Sequence, residues 1–236
     1  MHNDMNIFAT KQYNDRMGRN LYASELIEIH FKSTNSVLNV GGGAANYLKS
    51  TMPNRDVIAI DIDSKADIQF DLDSENPIPF GADKPDLIVA LDVLEHLEKF
   101  HERLNEILEI TTRGALLSLP ISSSETARIL LRPNAYRRQK RTEATFSKYY
   151  GIPLEKPHDR HRWYIYGTDI ITLAESLEDK GYEVHIGLDA FFKSKLLSKL
   201  VIRICSKHLL LNLLSKWVWI VIKKPLPSGK KPQENS

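Results

Sequence analysis

The chain has very little cysteine and no long hydrophobic run. Cys205 is the only cysteine among the 236 residues, which excludes a disulfide within the chain and favours a reducing compartment. No segment reaches the roughly 18 consecutive apolar residues of a membrane-spanning helix, and the N-terminal segment contains no apolar core of a signal peptide. These absences predict a cytoplasmic protein whose length suits one α/β domain with additions.

Acidic residues are missing from one long segment near the C-terminus. Between Ala190 and Gln233 there are ten Lys or Arg and no Asp or Glu, so the rest of the chain carries −8 once this +10 is taken from the overall +2. A charge split of this kind predicts an anionic partner for the C-terminal part. The alternative is an ordinary basic surface in contact with water.

Short apolar runs alternate with amphipathic stretches along the chain. Amphipathic patterns cover Phe100–Thr111 and Thr168–Lys180, and a helix is predicted within residues 11–32. Residues 1–10 show no pattern and are predicted to be disordered. The alternation predicts an α/β fold with a mostly parallel sheet covered on both faces. The predicted strands are Val37–Val40, Val57–Ile60, Leu87–Leu91, Ala115–Leu119, Tyr182–Ile186 and Trp217–Ile222.

A glycine-rich loop directly follows the first of these strands. The segment Ser36–Asn46 reads Ser-Val-Leu-Asn-Val-Gly-Gly-Gly-Ala-Ala-Asn, a strand, tight turn and helix start of the kind that holds nucleotide cofactors. A dinucleotide site has G-x-G-x-x-G, which Gly41 and Gly43 match but Asn46 does not. A second pattern, an acid followed by glycines at the second, fourth and sixth places, is approached by Asn39, Gly41, Gly43 and Ala45. The loop alone leaves both cofactor classes open.

Residues downstream favour the second pattern. Asp61 closes the next strand, where a carboxylate can accept both ribose hydroxyls. Asp71 ends a third segment that is followed by Pro-Ile-Pro-Phe. Residues 86–97 read Asp-Leu-Ile-Val-Ala-Leu-Asp-Val-Leu-Glu-His-Leu, which resembles the fourth strand and following turn of small-molecule methyltransferases. Together these motifs resemble the class I S-adenosylmethionine-dependent methyltransferases.

The resemblance implies a Rossmann-like seven-stranded, mostly parallel sheet flanked by helices, with the last strand antiparallel. A single domain would cover residues 1–224. It would include an acceptor-side cap insertion at 122–166, after strand 5, and a basic amphipathic helical insertion at 191–214, before the last strand. Residues 225–236 are predicted to be a disordered tail.

The same resemblance implies a set of cofactor-binding residues. Gly41, Gly42 and Gly43 would pass against the methionine part of S-adenosyl-L-methionine, and Asp92 would lie beside it. Asp61 would hold the ribose, and Asp71 with Leu72 would approach the adenine. Ile62, next to Asp61, belongs to the same predicted cofactor-binding set. Asn39 stands where the family has an acid. It keeps a hydrogen-bond acceptor but supplies no charge.

Methyl transfer to an oxygen acceptor usually requires a base. His96 follows the fourth strand, and His161 lies in Pro-His-Asp-Arg-His-Arg-Trp before a helix. Both are candidate catalytic residues, although either could have a purely structural role. Small-RNA 2′-O-methyltransferases carry Glu-x-x-Glu-His and a later His around a divalent ion, partly matched by Asp92-x-x-Glu95-His96 with His158 or His161. Because Asp-Val-Leu-Glu-His also occurs in metal-free relatives, no metal is expected.

The basic segments bear on the methyl acceptor. Lys195, Lys199, Arg203 and Lys207 recur every four residues and would form one stripe of a helix, beside an apolar face. This pattern is typical of a helix at an anionic membrane surface, or of one whose apolar face packs on its own domain. The apolar face consists of Leu196, Leu197, Leu200, Val201 and Ile204.

The acceptor-side insertion mixes cations with aromatic residues, which suits sugars carrying phosphate or carboxylate. The preferred hypothesis is therefore O-methylation of a hydroxyl on an anionic or lipid-linked glycan, by an enzyme in the cytoplasm or peripherally bound at the inner face of the membrane. A quinone-like or phenolic metabolite and an RNA 2′-hydroxyl are alternatives, although a nucleic-acid partner is not favoured. A non-enzymatic cofactor-binding module is the remaining alternative.

Overall fold

The structure is a computed structural model that describes residues 6–11, 13, 15–80, 84–131, 161–188 and 195–225. Its strands are β1 (Asn6–Ala9), β2 (Ser36–Val40), β3 (Asp56–Asp61), β4 (Ile68–Gln69), β5 (Leu87–Leu91), β6 (Gly114–Pro120), β7 (Glu183–Leu188) and β8 (Trp217–Lys223). Its helices are α1 (Arg16–His30), α2 (Tyr47–Thr51), α3 (Phe100–Ile110), α4 (Ser122–Leu131), α5 (Gly167–Asp179), α6 (Lys195–Ile204) and the short α7 (Lys207–Leu209). A 3-10 turn covers Leu94–His96, and a π-helical turn covers Leu210–Leu214.

The strands described form one sheet in the order β1-β7-β8-β6-β5-β2-β3-β4. All neighbours are parallel except β8, which runs antiparallel to both β6 and β7. From β2 the sheet continues with β3 and β4 on one side, and from β5 it continues with β6 on the other. The carboxyl ends of β2 and β5 therefore border the crevice at which open α/β sheets bind ligands. The predicted Rossmann-like, mostly parallel sheet with an antiparallel last strand is confirmed.

The sheet has one strand more than predicted. Asn6–Ala9, within the segment predicted to be disordered, pairs in parallel with β7, with Ile7 opposite Ile186. Phe8 lies over Gly187, where an added Cβ would come within 2.7 Å of the phenyl ring. The prediction of disorder for this segment was wrong. The strand is held by an edge 178 residues away in the sequence, and no local periodicity reveals such pairing.

Two apolar clusters cover the two faces of the sheet. Because successive strand side chains point to opposite faces, Val37 and Val89 pack with α1 and α2, whereas Leu38 and Ile88 pack with α3 and α5. Helix α1 begins at Asp15, whose carboxylate accepts a hydrogen bond from the Gly18 backbone N–H at 2.7 Å. This helix stands in front of the carboxyl ends of the central strands, and its first turns reach the ligand crevice.

The basic C-terminal segment is helical but is not one continuous helix. Helix α6 ends at Ile204, and Ser206 caps the next turn by accepting from the Leu209 backbone N–H. The prediction of a single stripe through Lys207 was wrong, because Lys207 belongs to a separate turn. Arg203 is exposed and Lys207 is half-buried. The side chains of Lys195 and Lys199 are outside the described residues, as are His158 and the predicted tail beyond Pro225.

Helix α4 occupies the start of the predicted cap insertion, of which residues 132–160 lie outside the described parts. Among the described helices, none combines the length and the apolar character that crossing a bilayer requires.

Candidate functional site

A cavity of about 490 Å³ opens at the carboxyl ends of β2 and β5. Its volume lies within the range of small-molecule sites, about 300–1,000 Å³. Six of the predicted cofactor-binding residues line this cavity: Asn39, Gly41, Gly42, Gly43, Asp61 and Asp92. The remaining lining residues come from α1, the glycine loop, the start of α2, and the strand ends and the turns that follow them: Arg16, Arg19, Asn20, Val40, Ala44, Ala45, Tyr47, Asp63 and Leu91.

The glycine loop takes a shape that side chains would obstruct. Gly41 and Gly43 have φ angles of +71° and +59°, in the left-handed region that favours glycine. A Cβ on Gly41 would lie 2.3 Å from Cγ2 of Val93, and one on Gly42 would lie 2.5 Å from the Asn39 amide nitrogen. At Gly43 the nearest atom would be a carboxylate oxygen of Asp61, 3.8 Å away. Backbone conformation, rather than crowding, therefore favours glycine at position 43.

The two asparagines that depart from glycine-loop patterns form one hydrogen-bonded unit. The buried Asn39 donates its amide N–H to the side-chain oxygen of Asn46 at 3.1 Å. Asn46 in turn donates to a carboxylate oxygen of Asp67 at 3.1 Å, which also accepts from the Ala59 backbone N–H at 2.7 Å. Asn46 has a φ of +33° and caps α2, so it holds a left-handed position where the dinucleotide pattern has glycine.

Asp61 is held rigidly at the wall of the cavity. One carboxylate oxygen accepts from the Gly43 backbone N–H and the other from the Asp63 backbone N–H, both at 2.9 Å. Each oxygen keeps a second lone pair with which it can accept from a ligand hydroxyl. The neighbouring Ile62 is 68% exposed and is not among the residues that line the cavity.

Asp71 and Leu72 are not among the residues that line the cavity. Asp71 is exposed and accepts from the Asp73 backbone N–H at 2.9 Å. Leu72 is buried in the core cluster, and its carbonyl accepts a hydrogen bond from Arg103. The structure thus brings the predicted glycine-loop residues, Asp61 and Asp92 together, but it does not bring Ile62 or the predicted adenine residues to the same wall.

Asp92, at the end of β5, is the most constrained of the cavity residues. Its φ of +54° is uncommon for a residue with a side chain. Its carboxylate accepts from the Ser118 hydroxyl at 2.6 Å and forms an ion pair with Arg19. Both partners of the pair are about four-fifths buried, with 18% and 21% of the side chains exposed. The buried Arg19 Nε has no hydrogen-bond partner among the described residues.

Sequence reasoning missed the α1 residues of the cavity, Arg16, Arg19 and Asn20. They precede the first predicted strand and belong to no recognised motif. An Arg residue in an amphipathic helix ordinarily lies on the solvent side, so no local signal placed Arg19 in the site.

A second group of polar side chains lies just beyond Asp92. The turn after β5 carries Glu95 and His96, and the ring of His96 contacts that of His161 edge to face, with centroids 4.6 Å apart. The segments are joined because the Glu95 carbonyl accepts from the Arg162 backbone N–H at 2.8 Å. The indole N–H of Trp163 also donates to the Leu97 carbonyl at 2.6 Å. The two predicted catalytic histidines are therefore neighbours.

Glu95 is completely buried, and neither carboxyl oxygen has a hydrogen-bond partner among the described residues. Its Oε1 lies 3.8 Å from Nε2 of His96. Burial, helped by the negative charge of Asp92 and opposed by His96, raises the pKa of Glu95 to about 8. In the structure as described, the Glu95 carboxyl therefore holds its proton at neutral pH.

Comparison with known proteins places the chain in a family. A family model described as a methyltransferase domain matches residues 13–185. No curated protein sequence matches the chain at a significant level.

Three solved structures illustrate the likeness of fold. The plantazolicin methyltransferase BamL, in complex with a triazolic desmethylPZN analogue and SAH, aligns with a TM-score of 0.57 and 14% identity over 89% of this chain and 86% of that one. A SAM-dependent methyltransferase from Archaeoglobus fulgidus aligns with a TM-score of 0.50 and 16% identity, over 88% of this chain and 94% of that one. The methyltransferase domain of bacterial CtHen1-C aligns with a TM-score of 0.50 and 13% identity, over 90% of this chain and 100% of that one.

Proposed function

The chain belongs to the class I S-adenosylmethionine-dependent methyltransferases, and we propose that it methylates a hydroxyl oxygen of an anionic or lipid-linked glycan. The donor, S-adenosyl-L-methionine, supplies a methyl group on a sulfonium that any well-placed nucleophile can attack. What this chain contributes is binding, alignment and removal of the acceptor proton.

The cavity's polar groups suit the parts of the donor. In this proposal the Asp61 carboxylate accepts from the ribose hydroxyls, and the exposed face of Ile62 contacts the adenine. Arg19, with its unpartnered Nε, binds the carboxylate of the methionine part. Asp92 and the oxygen of Asn39 receive its ammonium group. Asp71 and Leu72 stay assigned to the adenine side only by family resemblance, because the described cavity does not reach them.

Transfer to an oxygen is supported by one observation: His96 and His161 meet at the carboxyl edge of the sheet, on the turn and loop that adjoin Asp92. As the new carbon–oxygen bond forms and the carbon–sulfur bond breaks, the hydroxyl proton must go to a base. An imidazole is the side chain best matched to that task near neutral pH. A carbon or amine acceptor has less need of such a pair.

A lipid-linked acceptor is supported by the surface around α6. Val201 and Ile202 pack on the core, whereas Leu200 and Ile204 on the same helix are 50% and 71% exposed. We call the exposed residues Leu200, Ile204, Leu209 and Leu213 the apolar C-terminal patch. Exposed Arg203 and half-buried Lys207 belong to the same segment. Apolar side chains beside cations match an anionic lipid surface, whereas RNA binding would favour cations with aromatic platforms.

The substrate class can be tested by labelling. Purified protein is incubated with methyl-labelled S-adenosylmethionine and with lipid, glycan, RNA and small-metabolite fractions of a cell extract. The proposal expects label in the lipid or glycan fraction, stable to mild base as an ether is. Asp61→Asn serves as the control that lacks donor binding. Label confined to the RNA fraction or to the small-metabolite fraction would refute the glycan assignment.

The surface can be tested separately with vesicles. Leu200→Ser combined with Ile204→Ser should reduce sedimentation with phosphatidylglycerol vesicles, and neutral phosphatidylcholine vesicles should bind less than anionic ones. Ile29→Ser is the matched control, because Ile29 is also exposed, by 63%, but lies on α1. Equal sedimentation of all three proteins would count against membrane binding through the apolar C-terminal patch.

A further inference from the structure

We propose that Glu95, His96 and His161 form a binding site for a divalent transition-metal ion. The role we give this ion, activation of the acceptor hydroxyl, rests on the proposed function. The existence of the site does not, because it can be measured without donor or acceptor.

The three side chains already converge. Each offers one ligand atom, and these atoms all lie within 4.8 Å of one another. Ligand atoms bound to one zinc-sized ion at about 2.0–2.2 Å are themselves about 3–3.5 Å apart. Closing the remaining gap requires a movement of about an ångström, which rotation of the half-exposed imidazoles can supply. Glu95 would move little, since it is held in the turn between β5 and α3.

Burial of Glu95 is the observation that points to a ligand. A carboxyl that is completely buried, with both oxygens lacking hydrogen-bond partners among the described residues, is costly for a folded protein. Buried carboxylates are normally paired with a cation or bound to a metal. Among the described residues, Arg19 is already paired with Asp92, and the imidazole of His96 is 3.8 Å away, beyond hydrogen-bond distance. A divalent ion between Glu95 and the histidines would take the place of the carboxyl proton and give the buried carboxylate a partner.

The neighbouring carboxylates already have partners of their own. Asp92 is already engaged by Arg19 and Ser118. Glu98 pairs with Arg162 at 2.6 Å on the outer side of the loop. Neither carboxylate is therefore needed to complete the set, and neither is displaced by it.

The donor set indicates which ions fit. Two imidazole nitrogens and one carboxylate suit Zn²⁺, Mn²⁺, Fe²⁺ or Co²⁺ better than Mg²⁺ or Ca²⁺, which prefer oxygen ligands. Three protein ligands also leave at least one position free, as in catalytic rather than structural sites. A hydroxyl bound there would lose its proton more readily, so that the histidines would act through the ion rather than as free bases.

The test uses Co²⁺ as the probe. Purified full-length protein is treated with chelator, desalted and titrated with Co²⁺, and binding is followed by the visible absorption that nitrogen ligation produces and by calorimetry. Wild-type protein should bind one equivalent. Glu95→Gln and His161→Ala should each weaken binding at least about tenfold, the lower bound seen even when an outer-sphere partner is removed. His101→Ala is the control, because His101 lies outside the cluster.

Absence of a stoichiometric Co²⁺ site in wild-type protein would overturn the proposal, as would variants that bind like wild type. Circular dichroism and S-adenosylmethionine calorimetry on each variant separate loss of ligand atoms from loss of folding. If Co²⁺ binding follows the expected order but no acceptor is ever labelled, the site stands and the proposed function fails. If label is transferred equally with and without chelator, the proposed function stands and the role of the ion fails.

Discussion

Arg19 and Asp92 form an ion pair in the wall of the cavity, although they are 73 positions apart in the sequence. Asp92 ends the central strand β5, and Arg19 lies in the first turns of α1. The pair ties the N-terminal helix to the edge at which the donor binds. It also leaves a buried guanidinium nitrogen unpartnered among the described residues, which a ligand carboxylate can use.

The pair predicts a ligand-selective effect of Arg19→Met. A charge-assisted hydrogen bond contributes about 1.5–3 kcal/mol, so the affinity for S-adenosylmethionine should fall about tenfold or more. The affinity for 5′-methylthioadenosine, which lacks the amino-acid part, should change little. Calorimetry with both ligands checks this. Arg55→Met, which removes an arginine outside the cavity, is the control. An equal loss for both ligands would contradict the assignment.

The glycine loop predicts different costs for two glycine substitutions. Gly41→Ala adds a methyl 2.3 Å from Val93 to the strain of a positive φ, whereas Gly181→Ala adds only strain, since nothing lies within 4 Å there. Strain of this kind costs about 1–2 kcal/mol, and the clash should add to it. Urea unfolding of both variants measures the difference. Adding Val93→Ala to Gly41→Ala should reduce this difference in the free energy of unfolding. If it does not, the clash with Val93 is not the cause.

The Asn39–Asn46 hydrogen bond predicts that Asn39→Asp does not improve donor binding, even though it restores the acid of the family pattern. The new carboxylate would face the Asn46 oxygen, which also accepts from the α2 backbone. Loss of this buried bond should cost about 1–3 kcal/mol of stability at neutral pH. The deficit should shrink at acid pH, where the protonated Asp can donate. Chemical unfolding at two pH values checks this, with exposed Asn35→Asp as the control.

His30 predicts a loss of stability in mild acid. Burial, helped by the neighbouring His185 and Lys223 and opposed by the charge of Glu183, lowers the pKa of His30 to about 4. The unfolded chain binds the proton of His30 more readily than the folded protein does. The stability that the neutral His30 contributes is therefore complete above about pH 6.5 and is lost as the pH falls towards 4. The half-exposed ring limits the effect to about 1 kcal/mol.

The His30 effect can be isolated by substitution. His30→Gln should flatten the pH dependence of the free energy of unfolding between about pH 6.5 and 4. Exposed His208→Gln should leave it unchanged, and a curve for His30→Gln identical to wild type would refute the assignment.

Much of the fold was predictable because it depends on local patterns. Apolar runs of five to seven residues form β2, β3, β5, β6 and β8 close to the predicted positions. The edge strand β1 could not be predicted, because only the distant β7 and Gly187 hold it in place. The continuous stripe through Lys207 failed because charge spacing carries no information on the Ser206 cap between two turns.

The sequence by itself determined the family, the donor and the positions of the glycine loop, Asp61 and Asp92. Each depends on residue types at short, regular spacing, which backbone geometry converts directly into structure. Only the tertiary structure decided that Arg19 enters the cavity, that Asn39 and Asn46 support the loop as a unit, and that buried Glu95 lies beside His96 and His161. The residues in these contacts lie up to 73 positions apart, and packing of the whole sheet selects the contacts rather than any local preference.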